Sequence, residues 1–300
     1  MNEKIKLESI RYNKKLQKIN DISSINYKFF SGSYIIYETK TKVKEFSGYS
    51  DNLIFEGECL NGKRNGKGKE YNKYGKLLFE GEYLNGNRWN GKGFDQYTKV
   101  IYELKNGKGF VKEYDELGEL KFEGEYLNGK RNGKGKEYYN NGILEFEGEY
   151  LNGNKNGKVK EYNWDGNLKF EGNYFYGYKW NGKYYDGLDN IVSELKDGKG
   201  LIKEYDYNDI LSSEGEYENG QKNGIIREYH IDRKLIFEGE YLNGLKNGKA
   251  KEYTNLFNCE LIFEGEYLYN RRLRGKVFIN NRLEYEGEYL YDKKWNGKGY

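Results

Sequence analysis

The segment Phe-Glu-Gly-Glu-Tyr-Leu-Asn-Gly, or a close variant, begins at Phe55, Phe79, Phe122, Phe146, Phe170, Phe237 and Phe263, with worn copies at Ser213 and Tyr285. Most neighbouring copies start 24 residues apart (55 to 79, 122 to 146, 146 to 170, 213 to 237). A fixed period in the low twenties marks a repeat architecture, in which each unit buries its apolar face only against its neighbours.

One unit, Phe122 to Glu145, shows the local physics. Phe122, Gly124 and Tyr126 alternate strictly with Glu123, Glu125 and Leu127, the pattern of a strand with two unlike faces. Asn128-Gly129-Lys130-Arg131-Asn132 is turn material, and Gly133-Lys134-Gly135-Lys136-Glu137-Tyr138 is a second strand, so each unit predicts a β-hairpin. The shorter unit around Leu104-Lys105-Asn106-Gly107-Lys108-Gly109 predicts a two-residue type I′ turn pairing Lys105 with Lys108. Carried to the long units, that register sets Tyr126 across from Gly135 and Glu125 across from Lys136. An aromatic ring would then cover a bare Gly, and the strand Lys residues would belong to a solvated, charge-paired face.

Composition agrees. Forty Gly, 33 Tyr, 15 Phe and no Pro suit an aromatic-rich antiparallel sheet, and a mean hydropathy of -1.06 leaves no room for a large central core. The 51 basic residues nearly balance 48 acidic ones, which argues against a dedicated nucleic-acid binder. Two cysteines far apart, Cys59 and Cys259, do not make a disulfide framework, so a reducing compartment is expected, and no apolar run is long enough to span a bilayer. These features predict a soluble chain in the cytoplasm, free or peripheral to a membrane or cytoskeletal structure.

Two intervals, 79 to 122 and 170 to 213, are 43 residues long. Each holds a long hairpin with Trp at its tip (Trp89, Trp180) and then a short hairpin. The two blocks start 91 residues apart, which predicts duplication of a block of hairpins. A third such tip carries Trp295, and Tyr300 falls in mid-hairpin by the pattern of the earlier units, marking an atypical cap or a truncation. Residues 1–33 do not match the period. Ile5, Tyr12, Leu16 and Ile19 there suggest a short amphipathic helix capping the array of 34–300. The expected fold is all-β, an elongated single-layer antiparallel β-hairpin solenoid of about eleven hairpins and roughly 100 Å.

The pattern Phe122-x-Gly124-x-Tyr126-x-x-Gly129-x-x-x-Gly133-x-Gly135 resembles the MORN repeat, over about Tyr34 to Tyr300. The resemblance implies elongated, twisted sheets of successive hairpins and a role as a membrane-associated or protein-binding scaffold, in some members attached to a lipid-kinase or methyltransferase domain. Two departures stand out. The family's usual Trp at the second aromatic position is Tyr here (Cys at Cys59), and the units are one residue longer than the commonest form.

No constellation for catalysis emerges, and no cofactor or metal is expected. Gly86 to Lys92 has the spacing of a phosphate-binding loop, but Gly93 follows where Ser or Thr should hold magnesium, and the context is a hairpin tip. His230 is the only histidine, which excludes imidazole-rich metal sites. Glu123 and Glu125 recur in every unit and so are scaffold. Trp164 falls in a turn between hairpins, where it packs locally.

The hairpin tips remain as the candidate interaction edge: Lys63, Arg64, Arg88, Trp89, Lys130, Arg131, Lys155, Lys179, Trp180, Lys222, Lys246, Arg271, Arg272, Lys293, Lys294 and Trp295. Stacked hairpins would set these side chains along one edge, where the charge does not visibly cancel. Such an edge either solubilises the turns or forms a basic rail for anionic lipid or an acidic partner. The expected function is a non-catalytic scaffold for a protein partner or self-assembly. The alternatives are anionic-phospholipid binding through the tips and a regulatory segment serving a partner enzyme.

Overall fold

A computed structural model describes residues 32–115, 117–206, 208–255, 259–290 and 292–300. The cap and helix expected within residues 1–33 therefore fall almost wholly outside the described residues. Every regular element among the described residues is a β-strand, and all pairing is antiparallel between strands consecutive in the chain.

The first sheet holds β1 (Ser33–Tyr37), β2 (Lys42–Ser47), β3 (Leu53–Leu60), β4 (Lys63–Tyr71), β5 (Leu77–Leu84), β6 (Asn87–Phe94) and β7 (Val100–Leu104). The second holds β8 (Gly109–Tyr114), β9 (Leu120–Leu127), β10 (Lys130–Tyr138), β11 (Leu144–Leu151), β12 (Asn154–Tyr162), β13 (Leu168–Phe175), β14 (Tyr178–Tyr185) and β15 (Ile191–Leu195). The third holds β16 (Gly200–Tyr205), β17 (Leu211–Glu218), β18 (Gln221–Tyr229), β19 (Leu235–Leu242), β20 (Leu245–Tyr253), β21 (Leu261–Leu268), β22 (Arg271–Ile279), β23 (Arg282–Leu290) and β24 (Lys293–Gly299). None closes into a barrel. By compactness the chain divides after Gly133 into two units.

Both sheet breaks fall inside the short hairpins. Asn106-Gly107 and Asp197-Gly198 form the expected turns with positive φ, and Lys105↔Lys108 and Lys196↔Lys199 bridge as the sequence implies. Beyond that single bridge β7 leaves β8, and β15 leaves β16. The side chains of Leu104, Val111, Leu195 and Ile202 are buried there.

The long hairpins adopt another register from that extrapolated from the short one. Their tip is a two-residue turn, Asn61-Gly62 in β3–β4 (φ 51° and 74°), so the second strand starts at Lys63, not after the basic pair. Leu60 faces Lys63 and Cys59 faces Arg64; Asn65-Gly66-Lys67 then bulges against the single residue Glu58, and pairing resumes at Gly57↔Gly68. Gly66 sits at φ 97°, which a residue with a side chain rarely adopts, and the Glu58 carboxylate accepts the Lys67 N–H at 3.2 Å. The hairpins β11–β12, β17–β18 and β19–β20 repeat this bulge. In β5–β6 and β13–β14 the extra residue is Trp89 or Trp180 alone, flanked by Tyr83↔Arg88 and Glu82↔Asn90 or their equivalents.

The bulge shifts the pairing by two residues. The strand Lys meets the first Glu of Phe-Glu-Gly-Glu, as in Glu56↔Lys69 and Glu147↔Lys160, rather than the second. The same Lys also faces a Glu of the following hairpin, giving the sign-alternating rows Glu56↔Lys69↔Glu80↔Lys92↔Glu103 and Glu147↔Lys160↔Glu171↔Lys183↔Glu194. This solvated face carries the charge pairing expected of it, with different partners.

The core lies on the other face. Phe55, Phe79, Phe122, Phe146, Phe170 and Phe263 have no exposed surface. The ring over the paired glycines is this Phe and not the second aromatic. A Cβ on Gly68 would lie 2.6 Å from the Phe55 ring, which explains the bare backbone there. The second-position Tyr wedges edge-on between its own Phe and the preceding one in several repeats: Tyr83 lies 5.4 Å from Phe79 and 5.2 Å from Phe55, and Tyr174 and Tyr267 sit likewise.

Candidate interaction edge

Because the second strand begins immediately after Asn-Gly, the two residues following the turn point to opposite faces. Lys63, Lys130 and Lys293 face outward and are exposed; Arg271 is half-buried. The residue after each turns onto the aromatic face. Arg64, Arg88 and Arg131 lie over Phe55, Phe79 and Phe122, with the guanidinium carbon 4.3, 5.1 and 3.9 Å from the ring centres. In the second unit, Lys155, Lys179 and Lys246 lie 3.8, 4.6 and 3.5 Å above Phe146, Phe170 and Phe237, Arg272 lies 4.4 Å above Phe263, and Lys294 lies 5.1 Å above Tyr285. Lys222, whose repeat carries Ser213 in place of Phe, instead lies 5.9 Å from Tyr241.

Each of these cations also meets a carboxylate, which corrects the expectation that charge along this edge does not cancel. Arg64 joins Glu45 (2.8 Å) and Glu70 (3.4 Å), Arg88 joins Glu70 (3.0 Å), and Arg131 joins Glu113 (2.7 Å). Lys155 pairs with Glu137 (2.9 Å), Lys179 with Glu161 (2.8 Å), Lys246 with Glu228 (3.0 Å) and Arg272 with Glu252 (2.8 Å). Lys222 stands between Glu204 and Glu228 at 3.5 and 3.7 Å, and Lys294 pairs with the more exposed Glu284 at 3.0 Å. Except for Lys294, each cation meets a Glu near the end of the second strand of the preceding hairpin, in a Lys-Glu-Tyr segment or its variants Lys-Glu-Phe and Arg-Glu-Tyr, and Arg64 and Lys222 also reach Glu70 and Glu228 of their own strands. The partners from the preceding hairpin were invisible in sequence because they come from another repeat.

The second-position Tyr completes the group. Tyr174 donates to Glu161 at 2.5 Å, Tyr241 to Glu228 at 2.5 Å, Tyr83 to Glu70 at 3.1 Å, and Tyr126 to Glu113. Burial alone would push the Glu161 carboxyl up, but the Lys179 charge and hydrogen bonds from Lys179 and Tyr174 outweigh it and hold the group below the usual carboxylate range. Glu204 and Glu228 are lowered by the same contest. Burial, followed by the Glu161 charge, drives the Tyr174 phenol strongly upward. A charged, hydrogen-bonded seam thus runs through the aromatic face of each unit.

Backbone bonds stitch the tips together within each unit. Gly86 N donates to Arg64 O (2.8 Å), Gly177 N to Lys155 O (2.9 Å) and Gly244 N to Lys222 O (2.9 Å). The Trp tips clasp the short hairpins: Gly107 N donates to Trp89 O and Gly198 N to Trp180 O, both at 2.7 Å, while Asn90 and Asn181 side chains accept from Asn106 N and Asp197 N. Trp89 and Trp180 are half-buried bulge residues, and Trp295 is exposed. The 91-residue duplication inferred from sequence recurs in this geometry.

The outward side of the tips carries half-exposed apolar residues that charge counting overlooked: Leu60, Leu84, Leu127, Leu151, Phe175 and Leu242 among them. Their signal lay in the Leu before each Asn-Gly, which the alternation already set on the face away from Phe.

The other sequence candidates fall in structural roles. Lys92 of the phosphate-loop look-alike faces Glu80 and Glu103 in paired strands. His230 Nδ1 lies 2.9 Å from Asp232 in a turn between hairpins, and Trp164 packs against Tyr139. Among the described residues no group of three or more His, Cys, Asp or Glu could hold a metal ion, and no helix is long and apolar enough to cross a membrane.

Successive hairpins with this Phe-Gly-Tyr-Gly framework define a β-hairpin repeat protein. Residues 55–73, 122–143, 146–158, 214–225 and 237–255 match the MORN repeat family model, and the chain is a MORN repeat protein. Such repeats are in general non-catalytic modules of protein or membrane interaction. No curated protein matches the chain. Among solved structures, a protein of unknown function from Bacteroides caccae matches with 8% identity and a TM-score of 0.24, over 78% of this chain and 82% of that one. The TcdB2-TccC3 structure matches with 12% identity and a TM-score of 0.16, over 82% of this chain and 14% of that one.

Proposed function

We propose that the chain is a non-catalytic scaffold that binds proteins through the outward side of its hairpins, rather than a rail for anionic lipid. The observation that carries this reading is the inward turn of the tip cations. Arg64, Arg88, Arg131, Lys155, Lys179, Lys246 and Arg272 are held over aromatic rings against Glu partners. Membrane adsorption draws about 1 kcal/mol from each cation near the surface, and stable electrostatic adsorption uses clusters of several. Lys63, Lys130 and Lys293 are a sparse set for that purpose. The free cysteines Cys59 and Cys259 suit a reducing, cytoplasmic setting.

Flotation with phosphatidylserine vesicles tests the choice. The scaffold reading predicts no flotation at physiological salt. Flotation that is lost in a Lys63→Gln, Lys130→Gln, Lys293→Gln variant and at high salt would transfer the function to a membrane surface.

A further inference from the structure

One tip departs from the repeat in sequence, backbone and charge together. Where β11–β12 turns through Leu151-Asn152-Gly153-Asn154, β13–β14 turns through Phe175-Tyr176-Gly177-Tyr178. Tyr176 has φ 48°, in the left-handed region that Asn61, Asn85, Asn128, Asn152 and Asn243 occupy in equivalent turns. Asn tolerates that region and a bulky aromatic does so poorly, so Tyr at this place works against folding, as Tyr269 does at the β21–β22 tip, but here it is joined by further aromatic replacements. Tyr176 is 65% exposed, and Phe175 and Tyr178 are about half exposed.

The rings of the cluster pack on one another and on the next hairpin. Phe175 meets Tyr176 edge-on at 4.6 Å and lies tilted on Trp180 at 5.4 Å. The indole abuts the next short hairpin, where a Cβ on Gly198 would come within 2.9 Å of it. Beside these rings lies a shallow recess of about 520 Å³, lined also by Leu151, Lys158 and Asn173.

The charge pattern breaks at the same spot. Lys42, Lys67 and Lys249 each face a Glu of the following strand, Glu58, Glu82 and Glu266, but Lys158 faces Asn173, which in turn faces Asn181. The nearby Glu149 carboxylate sits on the Gly157 backbone, where a Cβ would lie 2.2 Å from its oxygen. Lys158 thus faces an amide across the strands where its counterparts face a Glu, and Glu149, which also lines the recess, is held at Gly157.

We propose that this tip docks a segment of a partner protein in which a carboxylate stands beside apolar side chains. The apolar groups cover Phe175, Tyr176 and Tyr178, and the carboxylate lies beside Lys158, at the cross-strand position that Glu58, Glu82 and Glu266 occupy opposite Lys42, Lys67 and Lys249. Rigid Tyr and Trp rings with Asn and Gly around them are the composition of protein-binding loops. A single cation is too few for a lipid surface or a nucleic-acid backbone. The proposal rests on the protein-binding reading above and names its site.

The test selects phage-displayed random linear peptides on the full chain and measures the most enriched one by fluorescence anisotropy. Targets are the parent, the tip reversion Phe175→Leu, Tyr176→Asn, Tyr178→Asn (the Leu151–Asn154 sequence, already accommodated by this fold), Asn173→Glu, and the control Tyr269→Asn. Tyr269 shares the positive φ at the β21–β22 tip. The expected peptide pairs Asp or Glu with aromatic or aliphatic residues. Its affinity falls by roughly tenfold or more in the reversion and in Asn173→Glu, and is unchanged in the control. A peptide that binds the reversion equally well overturns the tip assignment while leaving the protein-binding scaffold standing. No enrichment, or enrichment without acidic residues, also overturns it. So does a reversion that abolishes self-association in sedimentation velocity, which assigns the tip to a second copy, or that abolishes vesicle flotation, which assigns it to lipid.

Discussion

Lys179 and Glu161 provide the sharpest energetic test of the inward-turned cations. Their charged atoms lie 2.8 Å apart with side chains 17% and 16% exposed, and Lys179 also lies over Phe170 and Tyr184. At an effective dielectric constant of about 20, two charges at that distance attract by roughly 6 kcal/mol, of which desolvation removes more than half. Glu161→Gln leaves the ammonium facing an uncharged amide and should cost about 2–4 kcal/mol, as should Lys179→Met. The double variant removes both charges, so a double-mutant cycle should return a coupling of about 2 kcal/mol. Lys160 and Glu171 on the outward face, 3.4 Å apart and 44% and 47% exposed, should couple by less than about 0.5 kcal/mol. Urea unfolding followed by tryptophan fluorescence measures both cycles. A Lys179–Glu161 coupling no larger than that of the surface pair would refute the buried seam.

Acid should weaken the fold. Glu161, Glu204 and Glu228 are held below their ordinary value of 4.5, so their contribution is full above that pH and is lost as pH falls through the lowered native values; urea midpoints at a series of pH values check it. Alkali should do so as well. Burial raises Tyr174, Tyr184, Tyr217 and Tyr241 far above their ordinary 10.0, so stability is full below pH 10 and lost above it, and tyrosinate absorbance should show these phenols ionising only with unfolding. Gly172→Ala should cost more than about 2 kcal/mol, because its Cβ would lie 2.1 Å from Asn181 O, whereas Gly142→Ala, with φ 78° and open space, should cost about 1 kcal/mol in thermal or urea unfolding.

The strands, the Asn-Gly turns and the solvated Lys–Glu face were legible in the residues because alternation and turn chemistry are local. The register was not, since it hangs on the bulge at Asn65-Gly66-Lys67, and Gly66 looks like any strand Gly until its φ is known. That shift hid the facing of the tips. Taking Lys130-Arg131 as loop makes both side chains equivalent, whereas starting β10 at Lys130 sends Arg131 to Phe122 and Glu113. Most of the carboxylate partners come from a different hairpin, as Glu161 does for Lys179, and no spacing within one repeat names them. The Phe175–Tyr178 tip was visible as a departure from Leu-Asn-Gly, but a search for basic residues passes over it.

The central claim is that the tip basic residues divide between an inward, paired row and a sparse outward one. Acetylation rates of individual lysines, followed by quantitative mass spectrometry on the native chain, test this most directly. Lys63, Lys130 and Lys293, which are exposed, should react early, while Lys155, Lys179, Lys222 and Lys246, each against a Glu and an aromatic ring, should lag well behind and catch up only in denaturant. Equal native-state rates in the two groups would contradict the account.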